Sequence, residues 1–70
     1  MSITTFGDDT VIRLETDATR GPFEDGLCET PYVITERNGD THRGDVTHRR
    51  DEPDSELAIR AYSQWLKSRS

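Results

Sequence analysis

The side chains best able to do chemistry together are Cys28, His42 and His48, with Asp45 between the two histidines. Imidazole and thiolate are zinc ligands, and a cysteine beside a histidine is the pairing that activates a thiol nucleophile. Spacing limits both uses. On a regular strand His42 and His48 point to one face but stand roughly 20 Å apart, too far to share an ion, so either would need Cys28 or a carboxylate from a neighbouring strand. A lone buried cysteine is ordinarily a small hydrophobe, and with one cysteine the chain can form neither an internal disulfide nor a thiol knuckle. The five glycines are scattered, so no phosphate-cradling loop is present. The pairs Asp8-Asp9, Glu24-Asp25 and Asp51-Glu52 fall in turn-like stretches, where surface acid is the plain explanation. The expectation is a non-enzymatic chain with no catalytic residue, metal, cofactor or small-molecule substrate.

The basic cluster is the second candidate. His42, Arg43, Thr47, His48, Arg49 and Arg50 lie within one short stretch, and a β-ribbon presenting Arg and Thr can enter a groove or track phosphates. Asp40, Asp45, Asp51 and Glu52 are interleaved with it, however, and the whole chain carries a net charge of −5. Nucleic-acid binders normally have a basic footprint. Arginines among carboxylates read more simply as a solvated ion-pair surface.

The elements that must position these residues centre on residues 32–48. Asn38-Gly39 between two runs rich in β-branched and aromatic residues predicts a β-hairpin, with strands over 27–37 and 40–48. A two-residue turn would pair Arg37 with Asp40. A three-residue loop with Gly39 in the left-handed region would instead align Cys28, Thr30, Tyr32 and Ile34 with His42, Gly44, Val46 and His48. The second register is preferred because it gathers more apolar side chains on one face. Pro31 lacks a ladder donor and is expected at an edge or a bulge.

Upstream, residues 10–16 alternate as a half-buried strand through Ile12 and Leu14, residues 1–9 read as a frayed arm or a short edge strand, and 17–26 as a loop with Phe23 as an anchor onto the core. Downstream, Pro53 and the acids Glu52, Asp54 and Glu56 mark a helix start, and the helix is expected over 54–67. At 100° per residue Leu57, Ala58, Ile59, Ala61, Tyr62, Trp65 and Leu66 fill one wide arc. The predicted fold is one small α+β domain over 1–70: a three-stranded, mainly antiparallel sheet containing the 32–48 hairpin, with one C-terminal amphipathic helix packed on one face. The other face has no cover within the chain. Val11 and Val33 would point out from it, and Ile59 and Leu66 lie at the margin of the helical arc; these four form the candidate interaction face.

Fourteen acidic residues stand against nine basic, eight of them arginine and one, Lys67, lysine. This balance, with frequent Thr and a small apolar fraction, resembles the cytoplasmic proteins of salt-in halophilic archaea, in which concentrated salt screens self-repulsion. Ile, Leu, Val and Phe number 13 of 70, so the core is thin and a partner matters for stability. No apolar leader or membrane-length run is present, and a cytoplasmic location is expected. In outline a three-stranded sheet with a C-terminal helix resembles the arm-type DNA-binding domains of phage-like integrases, and no residue carries over. The reading is a protein-interaction or self-associating module, with a nucleic-acid-binding regulator using residues 41–50 as the alternative.

Overall fold

One type of turn recurs three times and sets much of the topology of the computed structural model, which describes residues 1–69. In each turn a residue's N–H donates to the carbonyl four positions on: Phe6 to Thr10 at 2.8 Å, Phe23 to Leu27 at 2.8 Å and Glu36 to Asp40 at 2.8 Å. The third loop residue is left-handed each time: Asp9 (φ 68°), Gly26 (φ 79°) and Gly39 (φ 94°). The residue before it supplies a side-chain acceptor to the chain's return. Asp8 Oδ1 accepts from the Thr10 N–H (3.0 Å), Asp25 Oδ1 from Leu27 (3.1 Å) and Asn38 Oδ1 from Asp40 (3.0 Å). Asx side chains mimic a backbone turn in this way, and the left-handed residue matches the twist of the paired strands.

The chain forms β1 (Ser2–Thr5), β2 (Val11–Leu14), a 3-10 turn at Thr16–Ala18, β3 (Leu27–Thr35), β4 (Thr41–Arg49) and α1 (Asp54–Arg69). All pairings are antiparallel, in the spatial order β1-β2-β3-β4. The sheet therefore has four strands, not three. Residues 1–9 are not a frayed arm: the β-branched run Ile3-Thr4-Thr5 ahead of the 7–9 turn pairs along β2, with Ile3 opposite Arg13. In the long hairpin Ile34 faces His42, Tyr32 faces Gly44, Thr30 faces Val46 and Cys28 faces His48, which is the three-residue-loop register. Pro31 lies within an interior strand rather than at an edge, at the level where β2 has ended at Leu14 and Glu15 donates to its carbonyl (2.9 Å). Phe23 is exposed at the tip of its turn and does not anchor the core.

Alternation along the strands sends Ile12, Leu14, Cys28, Thr30, Tyr32, Ile34, Val46 and His48 to one face, where all are buried. The helix covers that face with Leu57, Ala58, Ala61 and Trp65, its two alanines fully buried. Its start follows Pro53, whose carbonyl accepts from the Glu56 and Leu57 N–H groups. Acids in its first turn and Lys67 and Arg69 in its last complement the helix dipole. Full burial of a Leu or Ile contributes roughly 1.5–3 kcal/mol, so the few aliphatics of this core decide whether the chain folds. Gly44 is one of them in effect. A Cβ there would meet the Tyr32 hydroxyl at 2.5 Å, and the bare position lets the Tyr32 ring lie across β4.

Candidate interaction face

The basic cluster divides between the two faces of β4. His42, Gly44, Val46 and His48 turn toward the helix, while Thr41, Arg43, Asp45, Thr47 and Arg49 are exposed on the open face. Arg50 is exposed in the turn after the strand. Of the six candidate nucleic-acid contacts, Arg43, Thr47, Arg49 and Arg50 remain reachable. Among the described residues Arg43, Arg49 and Arg50 have no ion-pair partner, although Asp45 shares their face and lies 3.7 Å from Arg20.

His48 is built into the core. Its Nδ1 is 2.7 Å from the Arg49 carbonyl oxygen, which can only accept, so Nδ1 carries the proton. In the neutral ring Nε2 then accepts from the Thr30 hydroxyl at 2.6 Å, and Thr30 Oγ1 accepts from Thr19 at 2.8 Å. This chain of bonds satisfies the buried His48 ring and the buried Thr30 hydroxyl. It also occupies both ring nitrogens, so His48 has no nitrogen left to act as a base for Cys28, its opposite number on β3.

His42 belongs to a cluster at the other end of the strand. Its Nε2 donates to Glu36 at 2.9 Å, and its ring tilts against Trp65 with centroids 5.4 Å apart. Arg69 forms an ion pair with the other oxygen of Glu36 at 3.3 Å and lies over the Trp65 ring at 4.7 Å. A shallow cleft of about 410 Å³ opens here, between Tyr32, His42 and Arg69. Of its charged groups, Glu36, His42 and Arg69 are paired with one another, while Arg43 at its rim has no ion-pair partner among the described residues. Among the described residues no three His, Cys, Asp or Glu side chains converge as a metal site.

The four residues of the expected interaction face are not brought together. Val11 and Val33 are half-buried on the open side of the sheet, whereas Ile59 and Leu66 are exposed on the helix, in the other layer. Across the open face run two rows of side chains, Ile3, Arg13, Val33 and Arg43, then Thr5, Val11, Thr35 and Thr41. Ile3 is the residue missed. It is 63% exposed on β1, with Val11 as its diagonal neighbour on β2 and Val33 beyond Arg13 on β3. Its signal was the β-branched run preceding Gly7-Asp8-Asp9.

The two sheet edges differ. Arg60 donates to the Thr47 carbonyl (2.8 Å), Gln64 to the Asp45 carbonyl (3.1 Å), and Glu52 accepts from the Arg49 N–H (3.0 Å), so the outer side of β4 is capped by side chains along Asp45, Thr47 and Arg49. Glu52 also pairs with Arg60. The Arg49 N–H and then Arg60 hold the Glu52 carboxyl below its ordinary range. On β1 the ladder alternation, fixed by the Phe6 to Thr10 bond, turns the main chain of Ile3 and Thr5 outward. Among the described residues nothing caps them. No protein-family model matches this chain, and neither a curated protein nor a solved structure matches it. Among the described residues no helix is long and apolar enough to cross a membrane.

Proposed function

We propose that this chain is a small non-enzymatic interaction module that assembles, with another protein or with a second copy of itself, on the side of the molecule its helix leaves open. The observation that carries the reading is the one-sided sheet. Ile3, Val11 and Val33 lie on a face that no described element covers, Val11 between Thr5 and Thr35, and Ile3 and Val33 on either side of Arg13. An antiparallel sheet can leave one face to water, but exposing most of an isoleucine in so small a chain favours a partner there. The thin core supports the same reading, because small domains commonly draw stability from association. The acidic, arginine-over-lysine composition supports a salt-rich cytoplasm as the setting.

Nucleic-acid binding is the second reading, and the unpaired Arg43, Arg49 and Arg50 favour it. Against it, Glu29 and Asp45 share the face, and the net charge of −5 repels phosphate. One NMR experiment separates the two. Amide spectra are recorded over a dilution series and then with a mixed-sequence duplex, in concentrated KCl and at moderate salt. Shifts on dilution at Ile3, Val11 and Val33 support assembly. Shifts confined to residues 43–50 on adding duplex, weakening as salt rises, with none on dilution, would replace it by the second reading.

A further inference from the structure

We propose that the docking edge is β1 and that its occupant is β1 of a second copy of this chain, added antiparallel so that two four-stranded sheets become one of eight. This rests on the assembly reading above and names its surface and its partner. The first argument is composition. In a chain one-third charged, residues 2–7, 30–35 and 61–66 are runs of six whose only ionisable side chains are tyrosines, and 61–66 belongs to the helix that packs on the sheet. The second run lies inside β3, where both ladder sides are paired. The first contains β1, which has the make-up of an interior strand in an edge position.

Natural sheets guard their edges with charge, proline, bulges or covering groups. β4 is guarded: its own arginines and Asp45 are charged, and Arg60, Gln64 and Glu52 bind its outward main chain. β1 has only its shortness. This asymmetry selects the partner. Pairing β1 with β4 of another copy would be head-to-tail and would continue into filaments, and the caps on β4 oppose it. Pairing β1 with β1 is isologous and closes at two copies. With Ile3 opposite Thr5 of the second copy, the outward main-chain groups exchange about four hydrogen bonds.

Four bonds are few, so apolar contact must supply the rest. The join draws the two Ile3 side chains together on the open face. On the helix side, Phe6 stacks on Tyr62 with centroids 4.2 Å apart, and the exposed Ile59 and Leu66 lie on the same flank of the helix as Tyr62. That flank overlooks Ser2 and Thr4, whose small side chains leave room above β1 for the second copy. The only large exposed apolar side chain remote from this join in the pattern is Phe23, among the described residues.

The test is solution mass by light scattering in concentrated KCl, together with amide hydrogen exchange on the same samples. The expected mass rises with concentration toward twice 8.0 kDa, and the Ile3 and Thr5 amides gain protection in step with it. Ile3→Lys should return the mass to 8.0 kDa with the helical signal unchanged. Should that variant not fold, the exchange of the wild-type amides decides alone. A doubled mass with Ile3 and Thr5 still exchanging freely would overturn the β1 edge and leave assembly through another surface. A single mass at every concentration would overturn self-pairing and the self-association half of the assembly reading together.

Discussion

Along β4, three helix-side groups, Arg60, Gln64 and Glu52, bind the outward main chain, and Trp65 packs with Arg69 and His42 beside it. Just past β1 the Phe6 ring stacks on Tyr62 of the helix, and the Tyr62 hydroxyl donates to Asp8 at 2.6 Å. Both strands are edges of the same sheet, yet one is held and masked while the other is lightly tethered and bare. The difference teaches that the helix here does two jobs. It closes the core over β2 to β4, and it determines which edge stays available.

The largest perturbation of this contrast is Trp65→Ala, which removes the centre of the β4 side. Truncating a buried Trp costs about 3–5 kcal/mol, against a total of only 5–15 kcal/mol, on the order of that expected for any small domain. Loss of the cooperative melting transition is the expected outcome. A preserved transition would mean that the β4 side is not what holds the helix. Gly44→Ala comes next. Its Cβ must displace Tyr32, at a cost of about 1–3 kcal/mol, and Gln64, which donates to the Tyr32 oxygen at 3.3 Å, should loosen with it. Faster amide exchange in β4 without change in β1 would be the signature in hydrogen exchange.

Gly39→Val probes the hairpin that carries β4. A β-branched residue in the left-handed region costs about 1–2 kcal/mol, so the melting midpoint should fall; no change would move the turn elsewhere. The smallest effect is on the β1 side. The Tyr62 hydroxyl, followed by the Thr10 N–H, holds the Asp8 carboxyl below its ordinary 3.8, and the same bond to Asp8 holds the Tyr62 hydroxyl above its ordinary 10.0. Folding thus favours ionised Asp8, and this contribution is full above pH 3.8 and lost as the pH falls through the lower folded value. The Tyr62 contribution is full below pH 10.0 and lost as the pH rises through the higher folded value. In Tyr62→Phe the Asp8 titration midpoint, followed by NMR, should move back toward 3.8; an unmoved midpoint would assign the shift to Thr10.

Much of this arrangement was legible in the residues. Asn38-Gly39 specified a turn, and the apolar alternation selected its three-residue form, because only that register puts Cys28, Thr30, Tyr32 and Ile34 on the face of Val46 and His48. The helix was legible from Pro53, its acids and its apolar arc, and it runs two residues past the expected Lys67, to Arg69. β1 was not resolved, because its turn has Asp9 rather than glycine in the left-handed position and so lacks the usual mark. The split of the basic cluster followed from strand alternation, but the fate of each histidine did not. What engages His48 is Thr30, itself bonded to Thr19 eleven residues earlier in the chain, and what engages His42 is Glu36 across the hairpin mouth. The caps on β4 were equally invisible, since Arg60 and Gln64 read only as the polar side of a helix.

The contrast between the edges is tested most directly by removing the caps. The solution mass of the double variant Arg60→Ala, Gln64→Ala is compared with that of the wild type over a concentration series in concentrated KCl. The wild type should stop at two copies, and the uncapped variant, with β4 open as well as β1, should grow beyond two. A variant that is folded and has the wild-type mass at every concentration would contradict the claim that these side chains decide which edge is free.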